Sequence, residues 1–325
     1  MKCAEVRIYN KGEELPALSN DNFFHSQDMF HIMEQTPGCT PYMAVAYGAD
    51  DSILSHLLAV VYRRGSLLPP YLYSQARIYG EGVYRQGVDK NSLFGEMMLA
   101  ITRLFRRKMC LYIEFSDLSK KMFGYRHFRR QGYFNVRWTC IHNSLHSKAP
   151  EERISDKIQK RITNAYDSGV IMRVAENEED VLKFYSLLRR YYRFKFQRFI
   201  PRRELFLHLW RGNHGKIYLT LHKNHVIGGC AVVYSHSDAY IWQMAARTKS
   251  HLFQHPRTMT IWNALDDSYK NGYQHVRFMN VGLPFSKNLT RDAILRFGGK
   301  PTSTFRWFRF SIGFVNKLIR WFMKE

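Results

Sequence analysis

Acidic residues are what this chain has least of. Of 325 residues, 27 are Asp or Glu against 49 Lys or Arg, a formal charge of +22. From Phe184 to the end only six acids remain. Cysteine is also sparse. Cys3, Cys39, Cys110, Cys140 and Cys230 make an odd number with no C-x-x-C pair, so neither a disulfide framework nor a zinc site is expected. The fourteen histidines never fall in H-E-x-x-H spacing, and no metal is expected. Long apolar runs are missing: Leu57 to Tyr62 is among the longest, far short of the ~20 residues a spanning helix requires. The start, Met1 to Arg7, has no apolar signal core. These absences together point to a reduced, cytoplasmic protein.

What is present is a globular composition. Apolar residues are 45% and aromatics 15%, which excludes disorder, and the length fits about two domains. The charge is uneven. Residues 1–150 carry 19 basic and 13 acidic residues, and residues 151–325 carry 30 and 14. A positive field of this kind attracts nucleic acid, anionic lipid or phosphorylated substrates; a merely solvated basic surface has the same composition.

Periodicity divides the chain into alternating strands and helices. Leu93, Met97, Ile101, Leu104 and Phe105 share one helical face over 91–107. Ile154, Ile158 and Ile162 stripe a helix over 150–167 that Gly169 ends. Asn177 to Arg190 opens with Asn-Glu-Glu-Asp and closes with Arg-Arg, matching the helix dipole at both ends. The order then repeats. Ala59-Val60-Val61-Tyr62 returns as Ala231-Val232-Val233-Tyr234, Leu111–Glu114 as Val276–Met279, and Gly132 as Gly299. Each half reads strand, turn, strand, strand, helix, strand, short helix, Gly, strand, which implies a duplicated domain rather than a solenoid.

That order is similar to the GNAT acyltransferase fold. Two such units in tandem resemble the Fem family of peptide-bridge transferases. The residues that carry the resemblance are Lys157 to Ala165 with Gly169-Val170, Tyr240-Ile241-Trp242-Gln243-Met244-Ala245, Trp262 to Gly272 followed by Val276 to Gly282, and Phe297-Gly298-Gly299. Ala293-Ile294 stands where the family has Phe-Lys, and Asn280 where it has aspartate, so the resemblance is to a diverged member. The implied class is α/β with mixed sheets: two tandem GNAT-like units over 1–150 and 151–310, a basic connecting helix opening the second, and an amphipathic helix over 311–325.

The implied activity is transfer of an acyl or aminoacyl group to an amine of a cell-envelope or capsule polysaccharide precursor, without metal. The donor is acyl-CoA or aminoacyl-tRNA. The partners are a nucleotide sugar or lipid-linked saccharide, tRNA, and the anionic inner face of the membrane. The rival class is a non-enzymatic RNA- or membrane-surface-binding protein on the same scaffold. Trp242 and Gln243 are candidate groove-wall residues on the strand whose exposed backbone N–H would hold the carbonyl oxygen. Strand alternation alone would instead put Tyr240, Trp242 and Met244 together in the core. Asn280 ends the neighbouring strand and completes the candidate catalytic set. Candidate substrate contacts are Lys157 and Arg161 on the basic helix, Tyr240, Lys287, Arg296, and the Gly298-Gly299 pair. Arg198 joins them from the stretch 189–203, which has seven basic residues, no acid, and interleaved Tyr191, Tyr192, Phe194, Phe196 and Phe199, a composition suited to phosphate contact with stacking. Glu114 and Asp117 at the matching strand end of the first half read as a general base or, more simply, as surface charge.

Overall fold

The computed structural model describes residues 3–65, 71–118, 123–193, 200–279, 281–285 and 287–323. The chain forms two compact units, Met1–Trp138 with Thr304–Glu325, and Thr139–Ser303. The elements in chain order begin with β1 (Glu5–Tyr9), α1 (Gln27–Glu34), β2 (Cys39–Tyr47), β3 (Ile53–Gly65), β4 (Leu72–Tyr79), β5 (Val83–Tyr84), α2 (Lys90–Arg107), β6 (Tyr112–Ser116), α3 (Tyr125–Arg130) and β7 (Phe134–Ser144). They continue with α4 (Asp156–Asp167), β8 (Val170–Val174), α5 (Glu178–Tyr192), α6 (Arg203–Arg211), β9 (Gly215–His222), β10 (His225–Ser235), β11 (Asp238–Ala246), α7 (Pro256–Lys270), β12 (His275–Phe278), α8 (Leu289–Leu295), β13 (Lys300–Phe310) and α9 (Gly313–Phe322).

In unit 1 the sheet runs β1-β2-β3-β4-β6-β13, with β4 and β6 parallel and β6 and β13 antiparallel. Asp89 starts α2 by accepting the N–H groups of Asn91 and Ser92. Its apolar stripe, Leu93, Met97, Ile101 and Phe105, then buries against the sheet. Phe94, Phe115 and Phe128 meet edge to face or tilted at 4.8–5.6 Å. Trp307 of β13 stacks on Phe128 at 4.7 Å and is fully buried.

In unit 2 the sheet runs β7-β12-β11-β10-β9-β8, with β11 and β12 the parallel pair. Here Ile141–Ser144 of β7 pair with β12. The chain thus crosses between units inside β7 and again inside β13, so each half contributes its last strand to the sheet that the other half builds. The boundaries expected at 150 and 310 therefore lie at 138 and 303. Residue alternation reports that a segment is a strand, but not which sheet takes it.

Unit 1 also buries two imidazoles. His25 Nδ1 accepts the Leu58 N–H at 3.0 Å. Burial pushes His25 down to about 3, aided by His56, and burial pushes His56 down to about 4. Both rings are neutral in the folded chain, whereas in the unfolded chain they take up protons below their ordinary value of ~6.5. The stability tied to them is complete above that value and declines as pH falls toward 4. Denaturant titrations of unit 1 fluorescence are expected to show a lower midpoint at pH 5 than at pH 7. His25→Gln is expected to flatten that slope; an unchanged slope would mean that these rings do not set it.

Candidate active site

The reactive geometry in unit 2 starts from a one-residue irregularity in β11. On its β10 side, Val232 pairs with Ile241 and Ala231 with Gln243, leaving Trp242 as an extra residue. Such a bulge takes backbone groups out of the ladder and bends the strand. On the other side, β11 follows β12 in parallel register from Asp238–His275 to Ile241–Phe278, and the pairing stops there. The strands part where the bulge begins.

A narrow cavity of about 20 Å³ occupies the gap. Ile241 to Met244 form one wall, Phe278 and Val281 another, and Thr290 and Ile294 of α8 a third. Tyr192, the last residue of α5, closes a side, its hydroxyl donating to the Met244 carbonyl at 2.9 Å. Among the described residues the lining holds no carboxylate and no imidazole.

A positive helix end stands beside the cleft. α7 begins at Pro256 with no acid in its first turn, so its leading N–H groups and dipole are available to an anion. Arg257 Nη1 donates to the Leu289 carbonyl at 3.4 Å, one residue before cleft-lining Thr290. His255, with φ 43°, sets the entry to α7. Burial lowers its pKa, and the charge of Arg161 on α4 lowers it further.

The equivalent position in unit 1 is shut. β4 and β6 pair without interruption from Gln75–Tyr112 to Tyr79–Ser116, and the Gly80 N–H reaches the Ser116 carbonyl at 2.9 Å. β3 and β4 pair with no register shift. Glu114 is not surface charge. It is buried and accepts from Gln75 Nε2 at 3.0 Å, Arg77 Nη2 at 3.0 Å and Arg306 Nη1 at 2.9 Å. Asp117 is buried as well.

The structure brings together only part of the expected set. Trp242 and Gln243 line the cleft while remaining almost inaccessible. Arg161, half-buried on α4, does not line the cleft. Tyr240 lies outside the cleft lining, with the Arg277 guanidinium 5.9 Å from its ring centroid. Lys157 is exposed on α4, Lys287 is exposed before α8, and Arg296 is exposed at its end; none of the three lines the cleft. Asn280 and Arg198 lie outside the described residues.

The Gly298-Gly299 pair has a packing role. A Cβ on Gly299 would come 2.7 Å from Ile141 Cγ2 and 3.0 Å from the Ile294 carbonyl. Gly298, at φ 76°, is the left-handed counterpart of Gly132 at φ 83°, one residue ahead of the repeat alignment. Sequence reasoning missed Thr290, Ile294 and the bulge itself. Tyr192 was visible only as one aromatic of the basic stretch.

Residues 153–285 match the family model described as an acetyltransferase (GNAT) domain. No curated protein sequence matches the chain. Among solved structures, FemX is similar at TM-score 0.61 and 10% identity, over 91% of this chain and 98% of that one. A tandem GNAT protein from the clavulanic acid biosynthesis pathway is similar at 0.58 and 10%, over 94% and 99%. The C-terminal domain of a putative lysylphosphatidylglycerol synthetase from Agrobacterium fabrum is similar at 0.58 and 9%, over 91% and 90%. At such identities the likeness is one of fold: a tandem GNAT architecture like that of FemX, with the acetyltransferase (GNAT) domain match in the second half.

Proposed function

We propose that this tandem GNAT-fold N-acyltransferase moves an acyl group from a thioester to an amine of an anionic cell-envelope or capsule precursor, with unit 2 doing the chemistry. The carrying observation is the coincidence of the Trp242 bulge with the end of β11–β12 pairing. Where the two strands diverge, a backbone N–H of the strand end that turns toward a bound donor can polarise its carbonyl. The amine nitrogen attacks the carbonyl carbon, the carbon–sulfur bond breaks, and the thiolate leaves and takes up a proton. With no carboxylate or imidazole among the described lining residues, the amine proton passes to water. The rate enhancement then rests on orientation and on the preorganised N–H.

Acyl-CoA is the favoured donor, because the α7 end and Arg257 offer a place for its phosphates. The basic surplus of residues 151–325 supports aminoacyl-tRNA as the second reading. The same surplus supports an acceptor bearing phosphate, either a nucleotide sugar or a lipid-linked saccharide, at the inner face of the membrane.

Thermal denaturation with candidate donors separates these readings. A donor held by the folded cleft at 100 times its Kd is expected to add roughly 2.7 kcal/mol of stability. Acetyl-CoA or a longer acyl-CoA should raise Tm, and free tRNA should not. A rise with aminoacyl-tRNA alone would move the assignment to that donor; no rise with either would remove the enzymatic assignment of the cleft.

A further inference from the structure

α9 carries an apolar stripe that the fold does not use. The sequence groups Phe314, Val315, Leu318, Ile319 and Phe322 on one face. The structure splits that group. Val315 and Ile319 are half-buried, and Asn316 is buried, accepting the Phe310 N–H at 2.9 Å and donating to the Gly132 carbonyl at 2.9 Å. Those bonds fix the helix on unit 1 by its inner side. The outer side keeps Phe314 (75% exposed), Leu318 (44%), Trp321 (63%) and Phe322 (71%), at i, i+4, i+7 and i+8, a single helical stripe. Trp307 and Phe308, just upstream, do not join it: Trp307 is fully buried and Phe308 half-buried.

The stripe continues into a neighbouring corner. Ser311, just before α9, donates its N–H to the Leu111 carbonyl at 3.1 Å and its hydroxyl to the Cys110 carbonyl. This brings exposed Ile312 to the end of α2, where Met109 is 71% exposed.

Among the described residues from Arg103 to Arg137, the exposed charge has one sign. Arg103, Arg106, Arg107 and Lys108 are exposed on and after α2, and Arg126, Arg129 and Arg130 are exposed on α3. The acids between Arg103 and Arg137 are Glu114 and Asp117, both buried. Arg309 ties the two regions together. Its Nε donates to the Gln131 carbonyl at 2.6 Å, and burial and the nearby charge of Arg106 lower its pKa. Lys317 adds an exposed cation on the helix itself.

We infer that α9 and the α2–β6 corner form a bilayer-docking face, with the Phe314–Phe322 stripe entering the interface of an anionic membrane and the surrounding arginines and lysines resting on its headgroups. An aromatic stripe ringed by cations is the composition that lies in the plane of such an interface, and the one-signed rim selects a lipid surface over a neutral protein. The proposal deepens the envelope reading above by naming where the chain meets its membrane. Its test measures binding rather than transfer, so either can fail alone.

Co-sedimentation of the full chain with vesicles supplies the test. Vesicles with about one-third phosphatidylglycerol should bind the chain at low salt and release most of it in roughly half-molar salt, where screening is short-ranged. Pure phosphatidylcholine should bind far less. Phe314→Ser with Phe322→Ser should cut partitioning by about tenfold or more, and Lys317→Glu by about fivefold or more. All these side chains are exposed, so melting temperatures should stay at the parent value. Trp321 fluorescence should shift to the blue on binding. Absence of binding to anionic vesicles at low salt, or full binding by the stripe variant, would overturn the proposal. So would a dimer in light scattering that the stripe variant dissociates, since the stripe would then be a contact between copies.

Discussion

Deleting Trp242 is expected to lower acyl transfer by about 10²–10³-fold, the range measured when a single oxyanion donor is removed. The deletion takes out the extra residue in the β10–β11 register. Val232 would still face Ile241, and Ala231 would still face Gln243, so the residues beyond the bulge keep their faces. What disappears is the backbone displaced from the ladder at the point where β11 leaves β12. Trp242→Ala is the matched control. It keeps the bulge and removes a nearly inaccessible indole, so its main cost is stability, about 3–5 kcal/mol for a large buried aromatic. Steady-state rates of both variants, measured well below their melting temperatures, check this. If the deletion variant folds and transfers as well as Trp242→Ala, the bulge does not supply the carbonyl contact.

The second large effect is expected in unit 1. Glu114→Ala removes a carboxylate that Arg77 and Arg306 share. All three side chains are largely shielded, with Glu114 at 4% side-chain exposure. Arg306 also lies over the Trp138 ring at 3.8 Å, and Gln75, which donates to Glu114, accepts from Arg64 Nη1 at 2.8 Å. Breaking a buried pair by removing one partner costs about 3–5 kcal/mol. For a unit of this size that is a fall in Tm of roughly 10 °C. Replacing Glu114, Arg77 and Arg306 together by apolar residues of similar volume is expected to recover much of the loss.

The pH dependence at this site has a definite sign. Burial by itself would raise the Glu114 carboxyl, but Arg77 and then Arg306 outweigh it and hold the group below its ordinary 4.5. Its contribution is therefore present above that value and is lost as pH falls through the depressed folded value. Glu114→Ala should melt lower than the parent at pH 7 and approach it in strong acid. A constant difference between the two melting temperatures down to pH 2 would show that ionisation at Glu114 is not what the fold uses.

The two units illustrate why a repeat in sequence need not be a repeat in chemistry. Ala59–Tyr62 and Ala231–Tyr234 are identical, and both sit in the strand that pairs with the parallel strand of their unit. In unit 1 that partner runs without a bulge and stays zipped to its end; in unit 2 it bulges at Trp242 and parts from β12. A single inserted residue makes that difference, and it leaves no periodicity signal, because Tyr240 to Ala245 reads as an ordinary half-buried strand.

Local pattern alone determined the elements and their order. The stripe Leu93, Met97, Ile101 and Phe105 is a helix face because apolar side chains at that spacing can bury only on one side. Asn177 caps α5 because its side chain accepts the Asp180 N–H. The tandem GNAT architecture followed from that order repeated twice. Tertiary structure decided everything that depends on partners distant in sequence. It assigned β7 and β13 to the sheets built by the opposite halves, because alternation fixes a strand's two faces and leaves its neighbours open. It buried Glu114 between Arg77 and Arg306, a pairing that no local window contains. It turned Gly299 into a packing contact with Ile141, and it left the Phe314–Phe322 stripe facing outward by anchoring α9 through Asn316. Burial and hydrogen bonding across the sheet are collective, and they exist only once the strands have chosen one another.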